Sequence, residues 1–187
     1  KIDELDLKPT IIDFLKSEGY EELFEPQERA VKSGLFDEKK NFLITIPTAS
    51  GKTLIAMLAI LSHLSKHKTK AVYLTPLRAL TSEKFEEFKK LEQVDLGQKI
   101  KVAISTGQEK TKIRLEDADI IFLTNESMDA HMAFQSKWIE NIGLVISDEI
   151  HLIGDADRGP TLEMVLTRFR PKFRTKIQPG LKNNPFQ

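Results

Sequence analysis

Two short runs hold residue types that can do chemistry together: Pro47-Thr48-Ala49-Ser50-Gly51-Lys52-Thr53 and, much later, Asp148-Glu149-Ile150-His151. The first ends in the triplet of a loop that wraps nucleotide phosphates. In such a loop the N–H groups of a tight turn and of a helix N-terminus converge on a polyanion. Thr48, Ala49 and Ser50 would form the turn, and Gly51 would let the backbone come close. Lys52 would reach the outer phosphates, and Thr53 would set its hydroxyl on a magnesium ion. The second run offers Asp148 as a magnesium-coordinating carboxylate and Glu149 as a base that holds and deprotonates a water. Either run alone has an ordinary reading, as a strand–turn–helix junction or as a surface acidic pair. In this order, and each after an apolar stretch, they point to a nucleoside triphosphate. Ile46 stands where the strict phosphate-loop pattern has its first glycine.

Apolar runs at 41–46, 71–75, 101–105, 119–123 and 143–147 predict buried strands. The stretches between them predict helices. Ile11, Ile12, Phe14 and Leu15 follow Pro9-Thr10 at helical spacing, and Gly19 ends that pattern. Pro26 opens a short helix running to about Lys32. From Lys52, the spacing of Leu54, Leu58 and Leu61 gives one buried face. A long helix over 77–94 turns Phe85, Phe88 and Leu91 inward. A further stretch carries Met128, Met132 and Trp138, and a last helix after Gly159-Pro160-Thr161 buries Leu162, Val165, Leu166 and Phe169. Strands alternating with helices predict an α/β fold: a mostly parallel sheet with helices on both faces. Functional residues then belong in loops at the carboxyl ends of the strands, where both opening runs fall.

The composition narrows the classes. A chain of 187 residues is long enough for one domain with its own core. It has no cysteine, which removes disulfides, zinc–thiolate sites and thiol catalysis and fits a cytoplasmic protein, or a nuclear one in a eukaryote. No apolar run has the length of a membrane span, so no membrane partner is expected. The 28 basic and 28 acidic residues balance, so phosphate binding must come from local geometry rather than a global field. The start at Lys1 carries neither a Met nor a secretory signal, as expected of a trimmed N-terminus.

Further runs sit around the opening pair: Leu23-Phe24-Glu25-Pro26-Gln27, Thr75-Pro76-Leu77-Arg78-Ala79-Leu80, Ser105-Thr106-Gly107, Thr124-Asn125-Glu126 and Asp157-Arg158-Gly159-Pro160-Thr161-Leu162-Glu163. With them, residues 23–170 resemble the first RecA-like domain of a superfamily 2 DExH-box helicase, a P-loop NTPase fold. The last run is most similar to the Ski-like branch, which includes archaeal DNA-repair helicases and RNA-unwinding relatives. That family does not require the first glycine of the phosphate loop, which accommodates Ile46. The resemblance implies that Gln27 reads the adenine edge, with Tyr20 a candidate for packing on the base. It implies that Pro76, Arg78, Thr106, Gly107, Thr124 and Asn125 bind the phosphates of one nucleic-acid strand. It also implies that His151 and Arg158 couple the nucleotide site to a neighbouring domain. An arginine fork, hydroxyls and helix N-termini suit that work, although threonines at such places are also common helix caps.

The Ser-Ala-Thr motif that the family carries downstream of the box has no counterpart. The expected organisation is one RecA-like ATP-binding domain over 1–170, a divergent or truncated tail over 171–187, and no second RecA-like domain. A second domain would supply an arginine worth roughly 10³–10⁵ in rate. The expectation is therefore a chain that binds ATP and Mg²⁺, hydrolyses slowly and does not unwind alone. Its partners would be single-stranded or forked DNA, less readily RNA, and a second RecA-like domain in cis or trans. A non-catalytic helicase relic is the main alternative. A small phosphate-loop kinase is disfavoured by Gln27, Arg78 and the acidic box. No aromatic stacking platform for bases is legible.

Overall fold

The computed structural model describes residues 1–37, 40–47 and 51–169. Thr48, Ala49 and Ser50 of the phosphate loop, and the tail over 171–187, lie outside the described residues.

The frame is a parallel sheet of β1 (Lys70–Thr75), β2 (Val102–Ser105), β3 (Ile120–Thr124) and β4 (Ile142–Ser147), in the order β2-β3-β1-β4. The helices are α1 (Pro9–Ser17), α2 (Glu25–Lys32), α3 (Lys52–Lys66), α4 (Arg78–Lys89), α5 (Asn125–Ala133) and α6 (Gly159–Phe169). Side chains alternate across a strand, so each strand feeds two cores. Ala71, Tyr73, Ile104, Ile120 and Phe122 face Ile11, Leu58, Leu61, Phe85 and Phe88 of α1, α3 and α4. Val72, Leu74, Ala103, Ile121 and Leu123 face Met128, Trp138, Val165 and Phe169 on the other side. Helices cover both faces, as the near-continuous apolar strands require.

Local signals account for the helix ends. Pro9 opens α1, where a missing N–H costs nothing. Gly19 follows α1 at φ +83°, a left-handed turn that glycine adopts without strain. The Phe24 N–H donates to Gln27 Oε1 at 2.8 Å, which caps α2. Two helices are shorter than their periodicity suggests. Helix α4 stops at Lys89 and tightens into a 3₁₀ turn over Lys90–Gln93. Trp138 lies not in α5 but in a separate 3₁₀ turn, Lys137–Asn141.

One expected element is missing from the sheet. Among the described residues, 40–47 join no ladder, and Leu43 is 72% exposed. A cleft of about 930 Å³ has Phe42, Leu43 and Ile44 and, from β4, Leu144, Val145 and Ile146 among its walls. A strand is stable only when its N–H and C=O groups pair with a neighbour about 4.8 Å away. Strand β4 is the edge of the sheet on this side, and the cleft adjoins it. The apolar composition of 41–46 signals burial, but pairing depends on a neighbour that composition does not specify.

The fold should be most sensitive at Phe122, which is fully buried with ring centroids of Tyr73, Phe88 and Phe85 at 5.2, 5.4 and 6.2 Å. Phe122→Ala should lower stability by about 3–5 kcal/mol through the cavity it leaves. Urea unfolding followed by circular dichroism checks this.

Candidate functional site

The acidic box forms at the carboxyl end of β4, held by the strand beside it. The Asp148 N–H donates to Leu74 O at 2.9 Å, which carries the β1–β4 pairing one residue further. The Tyr73 hydroxyl donates to Asp148 Oδ2 at 2.9 Å, and the Glu149 N–H donates to Asp148 Oδ1 at 2.9 Å. Both carboxylate oxygens are therefore oriented, and each keeps a lone pair. Tyr73 is buried against Phe122 and Phe88. Burial, then the Asp148 charge, pushes its hydroxyl pKa far up, so it remains a donor at any ordinary pH. Glu149 turns the chain at φ +53°, a left-handed conformation that costs a non-glycine residue about 1–2 kcal/mol. Such strain clusters at functional sites. His151 is exposed, with Nδ1 3.3 Å from Glu149 Oε2.

The other half of the site is the start of α3. Gly51 caps it at φ +79°, and a Cβ there would stand 2.0 Å from Gln27 Nε2. Gln27 is 2% exposed, and its Nε2 donates to Gly51 O at 3.3 Å. Its amide thus ties α2 to the phosphate loop with both heteroatoms engaged. Tyr20 packs at the margin of the core, with Lys90 Nζ 5.8 Å from its ring centroid. The aromatic beside Gly51 and Gln27 is instead Phe24, 68% exposed.

Thr53 Oγ1 accepts from Lys84 Nζ at 3.0 Å, and Lys84 pairs with Glu87 at 2.7 Å. Lys52, Tyr73, Ser147 and Asp148 all line the large cleft. Tyr73, Lys84 and Glu87 carry no sequence signal for this role, because they lie on a strand and a helix that read as core. The only hint is a tyrosine in an otherwise aliphatic strand. Among the described residues the buried Ser147 hydroxyl has no hydrogen-bond partner, and the absence of a side chain at Gly51 lets the Gln27 amide pack against the backbone there. Magnesium needs only one or two protein oxygens when phosphates supply others. Asp148 and the Thr53 hydroxyl suit that demand.

A second cleft, of about 890 Å³, opens at the carboxyl ends of β1, β2 and β3. It gathers Pro76, Arg78, Thr106, Gly107 and Thr124 from three separate loops. A Cβ on Gly107 would lie 3.2 Å from Arg78 Nη2, so the guanidinium rests against the glycine. Thr106 Oγ1 accepts from the Glu109 N–H at 3.0 Å. Thr124 Oγ1 accepts from the Ser127 N–H at 3.1 Å as the N-cap of α5. Both hydroxyls hold their loops and keep a proton to donate. Asn125 is buried, its Oδ1 has no hydrogen-bond partner among the described residues, and it is not on the cleft wall. Arg158 lines this cleft rather than the nucleotide side.

The cleft also takes in Lys110, Ser127, His131 and Phe134, which the motifs do not mark. His131 lies edge-on to Trp138 and 3.1 Å from Ser136 Oγ. Burial, then the Lys110 charge, lowers its pKa below the usual histidine value, so it is neutral at pH 7. Among the described residues the charges on the wall are Arg78, Lys110 and Arg158 against Glu126, which makes this cleft locally basic in a neutral chain.

Comparison with known proteins places these clefts in context. The family model for DEAD/DEAH box helicases matches residues 24–180. The chain is 47% identical over 169 residues to the ATP-dependent DNA helicase Hel308 of Pyrococcus horikoshii, covering 90% of this chain and 23% of that protein. It is 44% identical over 165 residues to Hel308 of Methanococcus vannielii, covering 86% and 22%. The chain thus spans less than a quarter of the length of these curated relatives. Among solved structures, Dbp5 of S. cerevisiae bound to RNA and ADP BeF3 superposes with a TM-score of 0.73 at 21% identity, over 90% of this chain and 43% of that one. The DUF1998 helicase MrfA bound to DNA and AMPPNP gives 0.73 at 24% identity, over 90% and 24%. At that identity the likeness is one of fold, that of RecA-like helicase domains. With its family model matched over most of its length, the chain belongs to the DEAD/DEAH box helicase family.

Proposed function

We propose that this chain is the ATP-binding RecA-like domain of a Hel308-type helicase, which couples ATP hydrolysis to DNA unwinding when a second RecA-like domain joins it in cis or trans. The observation that carries this reading is the convergence of Lys52, Tyr73 and Asp148 on one cleft, with Thr53 at the head of α3 beside them. Gly51, Lys52 and Thr53, with Thr48, Ala49 and Ser50, bind the phosphates. Gln27 holds the loop. Asp148 and Thr53 hold Mg²⁺, which neutralises charge on the phosphates. Glu149 orients the attacking water and takes its proton. Pro76, Arg78, Thr106, Gly107 and Thr124 grip one strand through its phosphates, and such contacts carry little sequence information. The names of the relatives at 44–47% identity favour DNA over RNA.

On this reading residues 1–170 make up the domain, and 171–187 are a divergent or truncated tail. His151, exposed beside Glu149, and Arg158, in the basic cleft, face outward where a neighbouring domain can sense the nucleotide. Among the described residues no helix is long and apolar enough to cross a membrane, which is compatible with work on nucleic acid inside the cell. A lone domain has one grip and lacks the arginine that a second domain brings, so it binds ATP, turns it over slowly and does not unwind. The position of residues 40–47 outside the sheet favours a second reading, a non-catalytic binding module.

Two measurements test this. Glu149→Gln should cut single-turnover ATP hydrolysis, measured with single-stranded DNA present, by about 10²-fold or more while nucleotide affinity holds. Binding of ATP by the unaltered chain with no turnover would select the binding module. Tyr73→Phe should release one oxygen of Asp148. The Mg²⁺ concentration for half-maximal binding of a fluorescent ATP analogue should rise about 5- to 10-fold, the loss of one charge-assisted hydrogen bond. Affinity measured in EDTA should stay unchanged.

A further inference from the structure

We propose that Phe134 is a stacking platform for a base of the single strand whose phosphates lie along Arg78, Lys110 and Arg158. This rests on the nucleic-acid reading of the basic cleft and adds to it a contact to the bases themselves.

Phe134 is 84% exposed yet lines the cleft beside the three cations. It contributes little to either core, so packing does not explain an aromatic side chain here. Its backbone is firmly held. As the C-cap of α5, its N–H donates to Ala130 O at 3.0 Å. The next two N–H groups, of Gln135 and Ser136, donate back to Met132 O at 3.2 Å and His131 O at 3.1 Å. Gln135 takes φ +52°, the left-handed turn that reverses the chain directly after the ring. His131, one helical turn earlier, is fixed by Ser136 and Trp138. The exposed ring therefore stands on a fixed pedestal rather than on a loose loop.

A rigid aromatic at the lip of a cationic groove is the pairing that binds single strands. Cations hold the backbone while the ring takes the face of a base, whichever base it is. A duplex hides those faces, so the arrangement selects for an unpaired strand. It also suits phosphate contacts that read no sequence, because stacking tolerates all four bases.

The test uses the whole chain and fluorescence anisotropy with a labelled oligodeoxythymidylate of about twelve nucleotides. An abasic strand of the same length and the matching oligouridylate complete the set. Phe134→Ala should weaken thymidylate binding about 5- to 100-fold and leave abasic binding unchanged, with the salt dependence intact. Phe134→Trp should restore affinity. Arg78→Ala should instead weaken both strands and lower the salt slope by about one. Equal loss on thymidylate and abasic strands, or no loss on either, would overturn the stacking role and point to a protein surface. Failure of the unaltered chain to bind any strand would overturn the nucleic-acid reading and the stacking role together. Loss on the deoxy strand alone, or on both sugars, would tell which nucleic acid the platform serves.

Discussion

The structure depends on the central position of β1, which pairs with β3 on one side and β4 on the other. Its residues alternate between the two cores, so both helical layers are fastened to it. Its last turns also build both clefts. The carbonyl of Leu74 and the hydroxyl of Tyr73 hold Asp148. One residue past the strand, Pro76 begins the loop that launches α4 with Arg78. A single strand end thus orients the Asp148 carboxylate and launches the helix that carries the Arg78 guanidinium. The parallel arrangement requires this, because every strand ends on the same side of the sheet.

Helix α4 joins the two clefts physically. Arg78, at its first residue, lies against Gly107 in the basic cleft. Lys84 and Glu87, further along the same helix, reach Thr53 and the field around Tyr73. A chain with no net charge can still present an acidic box and a basic groove, because the charges are sorted by the fold rather than by composition. The neutral His131 belongs to that sorting: half-buried near Lys110, it adds packing without adding a like charge.

Much of the fold is legible from the chain. Among the described residues, four of the five expected strands and the six helices follow from apolar periodicity, helped at some ends by a proline or glycine. The exception, 41–46, is informative. Its apolar run resembles the other four, but among the described residues it lines a cleft beside the edge strand β4 instead of pairing with it. The site is legible where chemistry requires a residue type at a fixed spacing, as in Gly51-Lys52-Thr53 and Asp148-Glu149. It is illegible where one side chain merely supports another. Tyr73, Lys84 and Phe134 look like core or surface until their partners are known.

The sequence by itself determined the class of fold, the Gly51-Lys52-Thr53 and Asp148-Glu149 runs and the order of the loops at the strand ends, because these rest on local patterns: periodicity, turn chemistry and short spacings. Only the tertiary structure decided which side chains meet. It set Tyr73 on Asp148, Lys84 on Thr53, Arg158 in the basic cleft rather than at the nucleotide, and an exposed ring beside three cations. The physical reason is that these contacts join residues on separate elements, and their distances are set by strand order and helix packing, which no local run encodes.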